Sequence, residues 1–323
     1  MILITTKKGV SGKVEVSYSS SLSLQAYNDN FDVLSLQEWM KLRNDAAYEN
    51  WLFQNRVEPY SSGNTSSRTL EEAIANPVNG VAFTRFYSDD QINNAGQSTN
   101  WLGLVTRDGS TQQHNLSLRG GTETTRYFLS GNLFDQKGVL KNSAFERASL
   151  RFNLDQKLYD FLSVGMNLTM SRINNDNSQL GGDRYENSGL LRSALQYGPH
   201  IQAIDENGNY PINPDNSQEP NPYSLLTITD KGVIDRTLTN FFMEVKPIKG
   251  MVARLQAGID QGYTSSNTYL PRTTLYGEKV SGKATTANEK KTDALFDFTL
   301  NYSKIIDDDH SFNFLVGYSR QKY

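Results

Sequence analysis

A two-residue rhythm of side chains constrains this sequence more than any other feature. Val14, Val16, Tyr18, Leu22, Leu24 and Ala26 share one parity, while Lys13, Glu15, Ser17, Ser19, Ser21, Ser23 and Gln25 take the other. Successive side chains of a β-strand point to opposite faces, so period two with this partition is a strand with one apolar and one polar side. The pattern recurs at Ala148/Leu150/Phe152/Leu154, Leu162/Val164/Met166/Leu168/Met170, Ala253/Leu255/Ala257/Ile259, Ala294/Phe296/Phe298/Leu300/Tyr302 and Phe312/Phe314/Val316/Tyr318. Less clean versions at 113–119, 125–136 and 235–247 bring the expectation to nine strands and an all-β fold.

The spacing of these segments adds a second constraint. Tight turns are expected at Gly120-Gly121, near Tyr159-Asp160, at Pro247-Ile248-Lys249-Gly250 and at Asp307-Asp308-Asp309. Between them fall long connections at roughly 28–110, 174–233 and 265–291, and a shorter one at roughly 137–146. Long and short therefore alternate, which puts every long loop at one end of the sheet. Loops of that length are uncommon in compact domains and usually functional. One-sided long loops opposite tight turns mark outer-membrane barrels. A soluble sandwich would join its strands with mostly short loops at both ends. In a barrel the apolar rows face lipid, and the polar rows, with Arg151, Asp155, Arg254, Asp260 and Asp297, face the lumen. Bacterial single-chain barrels have even strand numbers, and an open edge in hydrocarbon costs several kcal/mol per unpaired group. Nine strands are therefore expected to be part of a larger barrel.

Composition excludes several function classes. There is no cysteine, hence no disulfide, thiolate metal site or cysteine nucleophile. The 32 Lys and Arg against 35 Asp and Glu are scattered, and no basic stripe offers a nucleic-acid surface. No apolar run is long enough for a transmembrane helix. No signal peptide precedes the first strand, so the expectation is either a cytosolic chain or a natural N-terminus that lies elsewhere. One helix is expected in the first long loop: Ser35 followed by Glu38 in DVLSLQEWMKLRN is a capping-box spacing, with Leu36, Trp39, Met40, Leu42 and Ala47 as its apolar side.

Chemistry-bearing motifs are few. His114, His200 and His310 are far apart, and no HExxH spacing occurs. Asp307-Asp308-Asp309 reads as a solvated turn. Asp205, Asn207 and Asn209 begin like a calcium loop, but Tyr210 stands where glycine is needed and Asn216 where the closing Glu belongs. No cofactor and no enzymatic activity is expected. Loop aromatics remain as candidates for contact with a substrate or a lid: Trp51, Tyr60, Tyr87, Trp101, Tyr210 and Tyr223. Any one of them also suits a loop core, Trp51 and Trp101 most of all.

Several stretches together resemble SusC-like TonB-dependent outer-membrane transporters. Ile2–Gly9 (ILITTKKG) is similar to their last plug strand. Asn100-Trp101, then Gln113-His114-Asn115-Leu116-Ser117, Gly120-Gly121, Tyr127, Ser130-Gly131, Asp135-Gln136-Lys137-Gly138 and Asn142-Ser143 with Phe145 and Arg147 are similar to their early barrel block. DVLSLQEWMKLRN resembles the helix after the first barrel strand, and Asp205–Tyr210 with Asn221-Pro222 resembles an outer-loop segment. The resemblance implies a barrel of about 22 strands around an N-terminal plug. Residues 1–11 would close the plug, and 12–323 would be the N-terminal part of the barrel. It further implies import of a nutrient, a glycan fragment or sometimes a peptide, with a SusD-like lipoprotein lid and energy from the TonB complex through a segment this sequence lacks. A soluble all-β carbohydrate-binding or adhesion module is the rival reading. A barrel-borne hydrolase would need a nucleophile–base pair that the sequence does not offer.

Overall fold

A computed structural model describes residues 9–28, 31–60, 66–177, 189–306 and 310–323. The expected ILITTKKG strand and the Asp307–Asp309 turn lie wholly or almost wholly outside them. Nine antiparallel strands form one sheet in sequence order: β1 (Gly12–Gln25), β2 (Gly109–Gly121), β3 (Thr125–Lys137), β4 (Ala144–Tyr159), β5 (Leu162–Asp176), β6 (Thr229–Val245), β7 (Met251–Leu270), β8 (Lys283–Ile306) and β9 (His310–Lys322). Each strand pairs only with its sequence neighbours, so β1 and β9 are open edges among the described residues.

The register explains the rhythm. Residues directly paired across antiparallel strands share a face. Val16 pairs with Leu118, Leu118 with Leu129, Leu129 with Phe152 and Phe152 with Leu168, a continuous apolar row. Phe241–Ala257–Phe296 and Leu255–Phe298–Tyr318 are further rows on the same side. No second sheet among the described residues covers them, and Val16, Leu150, Ile259 and Val316 stay 64, 42, 49 and 63% exposed. Both buried hydrophobic clusters among the described residues lie in the loops instead. A soluble sandwich would pack those rows against one another, so the soluble-module alternative lacks its core. Outward apolar positions on β4 run from Ala148 to Leu158. At about 3.4 Å per residue and a tilt of about 40°, that span is about 26 Å, the height of an outer-membrane apolar band.

The opposite face carries Glu15, Asn115, Asn132, Arg151, Asn153, Asn167, Asn240 and Asp260, laced by ion pairs such as Arg119–Glu15 at 2.5 Å and Arg236–Asp260 at 2.5 Å. It also holds rings that blurred the alternation. Phe128 is buried there, Arg147 lies 5.7 Å over Phe134, and Arg254 lies 4.4 Å over Phe242. Gly165 leaves the space that the Phe242 ring fills, since a Cβ there would come within 2.3 Å of it.

The short turns cluster at one end. At the β6–β7 turn Gly250 has φ +87°, and a Cβ there would meet the Ser303 carbonyl at 2.2 Å, so only glycine fits. Connections 26–108, 138–143, 177–228 and 271–282 occupy the other end. The last is shorter than the 265–291 expected. There β7 and β8 extend past the apolar band as Ser-, Thr- and Lys-rich strand, polar on both faces and so without the alternation that marks the rest.

Candidate functional site

The long loops fold into a body of their own. In the first, α1 (Leu36–Gln54) starts at Ser35, whose Oγ accepts the Glu38 N–H while Glu38 Oε2 accepts the Ser35 N–H at 2.8 Å. It buries Met40, Asn44 and Trp51, whereas Leu42, expected on the apolar side, faces solvent. The short helices α2 (Leu70–Ala75), α3 (Asp89–Asn93) and α4 (Trp101–Val105) follow. The β5–β6 loop adds α5 (Leu190–Gln196) and α6 (Pro222–Leu225), and the β7–β8 loop adds α7 (Leu275–Glu278). Trp101, Leu102 and Val105 of α4 pack with Leu190, Ala194, Tyr197, Ile201, Leu225 and Ile228 into one core. Lys141 Nζ donates to the Leu104 carbonyl at 2.7 Å and the Asn142 amide to that of Leu226, which draws in the β3–β4 loop.

A second junction joins α1 to the β5–β6 loop. His200 stacks on Trp39 with centroids 4.0 Å apart. Arg43 pairs with Asp215 at 2.6 Å, and its guanidinium lies 5.6 Å from the Trp39 ring and 5.2 Å from Phe86. Burial lowers the His200 pKa, with Arg43 acting the same way and Asp215 against it.

Between the β5–β6 and β7–β8 loops lies a cavity of about 660 Å³. One wall presents Tyr210, Glu219 and Asn221, the other Arg272, Thr274 and Glu278. Glu219 is only 7% exposed. Its Oε2 accepts from Asn213 Nδ2 at 2.9 Å, while its Oε1 has no hydrogen-bond partner. Burial raises its pKa, with the Asn213 hydrogen bond and Arg192 opposing. Asn221 fixes this wall by donating to the carbonyls of Ala203 and Pro211 at 3.2 and 3.3 Å. The Tyr276 hydroxyl donates to the Gln218 carbonyl at 2.9 Å and ties the two loops together. On the polar face of the sheet a shallower hollow of about 430 Å³ is lined by Arg151, Asn153, Asn167, Asp260 and Asp293.

The sequence-derived candidates separate by position. Trp51 and Trp101, 8 and 3% exposed, donate their indole N–H groups to the Val81 and Gly198 carbonyls and sit where no ligand reaches them. Tyr60 donates to Glu49 on the flank of α1, and Tyr87 is anchored through its backbone to the Asn44 amide. Tyr210 lines the cavity, and Tyr223 packs on the loop core with its ring 6.3 Å from that of Tyr210. The register places Arg151, Asp155, Arg254, Asp260 and Asp297 on one face. His114 lies on the apolar side, bonded through Nδ1 to the Tyr18 hydroxyl at 2.8 Å. Asp205 accepts the backbone N–H groups of Asn207 and Asn209 at 2.9 and 2.7 Å, which closes a turn. Glu219 and Arg272 escaped the sequence reading because each belongs to a different loop.

An open sheet with a bare apolar face, a polar face opposite and folded loops at one end defines a class: part of the wall of an outer-membrane β-barrel. Comparison with known proteins shows what the chain is similar to. The chain is 28% identical over its whole length to TonB-dependent receptor P3 of Formosa agariphila, covering 28% of that protein. It is 25% identical over 62% of its length to TonB-dependent receptor SusC of Bacteroides thetaiotaomicron, covering 16% of it. Its fold matches the RagAB peptide importer in the closed-closed state with a TM-score of 0.67 at 21% identity, covering 97% of this chain and 35% of that one. The open-open state matches at 0.64. No protein-family model matches. In sequence the chain is similar to proteins named TonB-dependent receptors, SusC among them, in fold it matches part of the RagAB barrel, and it is an outer-membrane protein. It spans 27 to 29% of the curated relatives that it matches end to end. Those relatives are named receptors, not enzymes.

Proposed function

We propose that this chain is a wall and outer-loop portion of a TonB-dependent importer that carries a nutrient, a glycan fragment by first choice, across the outer membrane with a SusD-like lipoprotein. Residues 1–11 end the plug and 12–323 begin the barrel. The outer loops and the lipoprotein lid capture the substrate. It then passes along a lumen lined by Arg151, Asp155, Arg254, Asp260 and Asp297 once the plug is remodelled by energy from the TonB complex. No covalent step is involved. The single observation that supports the reading most is the uncovered apolar face, which only acyl chains suit, beneath loops that carry their own cores.

A peptide substrate is the second reading, favoured by the fold shared with a structure described as a peptide importer. The test is uptake by cells with and without the full-length protein, using labelled neutral oligosaccharides and labelled oligopeptides, with and without the proton-motive force. Energy-dependent uptake of oligosaccharide lost with the protein supports the first reading, and loss of peptide uptake alone supports the second. Recovery of the protein in the soluble fraction would end both.

A further inference from the structure

We propose that the cavity between the β5–β6 and β7–β8 loops is a saccharide subsite, with Tyr210 as its stacking platform and Glu219, Arg272 and Glu278 as its polar contacts. The inference rests on the importer reading and adds a place and a set of contacts to it. At about 660 Å³ the cavity falls in the size range of small-molecule sites, about 300–1,000 Å³.

Its chemistry selects the ligand. Arg272 and Glu278 stand exposed on one wall with no ion-pair partner among the described residues, and Glu219 stands on the other. A guanidinium only donates and a carboxylate only accepts. A sugar hydroxyl does both, so a neutral polyol satisfies groups of both signs without carrying charge. The buried Glu219 Oε1 lacks a donor, and Glu219 is among the residues that line the cavity. Tyr210 is backed by Tyr223, which packs on the loop core, so the ring is held in place for the C–H face of a sugar. A peptide would need an open strand edge or apolar side-chain pockets. At the cavity neither edge of β7 is free, because β6 pairs with it as far as Tyr269 and β8 as far as Leu270. The wall that carries Tyr210 and Glu219 is also set before binding: Tyr197 donates to the Pro211 carbonyl at 2.6 Å.

The test uses the full-length protein in detergent micelles. Calorimetry measures binding of neutral malto-, xylo- and laminari-oligosaccharides of four to six residues, and of a tetrapeptide pool. At least one neutral series binds, and Tyr210→Ala and Arg272→Ala each weaken it tenfold or more, while Phe53→Ala on the exposed side of α1 leaves it unchanged. Heat-modifiable electrophoretic migration confirms the folded barrel. If Tyr210→Ala does not fold, Arg272→Ala, on an exposed side chain, decides alone. Normal oligosaccharide binding in the variants, binding of peptides only, or binding of none of the three series overturns the subsite. The importer reading fails separately, through loss of membrane location or of energy-dependent uptake. A cell that still imports while the variants bind normally has lost only the subsite.

Discussion

Leu150→Arg puts the orientation of the sheet to a quantitative test. Leu150 lies mid-way along β4, 42% exposed on the apolar face, with Gly131 and Met170 as its cross-strand partners. If that face met water, replacing an exposed leucine by arginine would change stability by about 0.5 kcal/mol at most. Against acyl chains about 5 Å inside the edge of the apolar band at Ala148, the same change costs about 1–2 kcal/mol, between the interfacial and midplane values. With a urea dependence of about 1–3 kcal/mol per molar, the midpoint falls by about 0.5 M or more. The control is Ser117→Arg on the opposite face, where Ser117 pairs with Ser17 and Ser130. There a charge meets the wet side, and the expected loss is below about 1 kcal/mol. The assay is urea unfolding and refolding of the full-length protein in phosphatidylcholine vesicles, followed by tryptophan emission and heat-modifiable migration. Equal midpoints for the two variants, or a Leu150→Arg protein as stable as the parent, would refute the lipid-facing assignment.

Two glycines give a second contrast. Gly165→Ala drives a methyl into the Phe242 ring and lowers stability by about 1–3 kcal/mol, while Gly131→Ala, with nothing within 4 Å, is neutral or slightly stabilising in the same assay. Arg43→Ala removes the Asp215 pair and the contacts with Trp39 and Phe86, so limited proteolysis of the β5–β6 loop speeds up several-fold while the barrel's urea midpoint stays put. The same junction responds to pH through His200. Its folded pKa lies below the ordinary 6.5, so the unfolded loop takes up the proton first as pH falls. The contact is complete above about pH 6.5 and weakens below it, with Asp215 opposing the loss and Arg43 adding to it. Protection of the β5–β6 loop amides, taken relative to the intrinsic exchange rate at each pH, falls from pH 7.5 to pH 5, and His200→Gln flattens that dependence.

What the sequence disclosed follows from where each residue's partner lies. β4, β5 and β9 were legible because lipid on one side and water on the other leave alternate residues under opposite selection, a contrast carried within five or six positions. β3 and β6 were less clean because Phe128, Phe134 and Phe242 sit on the polar side, where cation–π contacts and the gap at Gly165 accommodate them. The outer halves of β7 and β8 meet solvent on both faces and carry no periodic signal at all. The α1 start was readable because its capping box is local. Thr69 with Glu72 and Ser88 with Gln91 repeat that device, but their helices are too short for an apolar stripe to flag them. The site was the least legible part. Glu219 and Arg272 meet only because the β5–β6 and β7–β8 loops lean together, and no pattern along the chain pairs them.

The location of the cores carries a mechanical consequence. Between strands and lipid there is no hydrophobic drive, so the sheet is specified by its hydrogen-bond ladder and register. The loops meet water and must bury apolar surface to order themselves. α4 from the first loop and α5 and α6 from the β5–β6 loop do so together, around Trp101, Leu190 and Leu225. Those loops are therefore one body rather than separate flaps, and Tyr223, packed on that body, also backs Tyr210 at the cavity. The β7–β8 loop is joined to it by Leu270 packing on the core and by Tyr276 reaching Gln218. Its tie is thus slighter than the shared core of the other two. A ligand seated in the cavity bridges the firm wall and the looser one. The opposing wall that carries Arg272 and Glu278 is then the one to close upon it, and protection from hydrogen exchange on binding falls on 271–282 more than on 189–228.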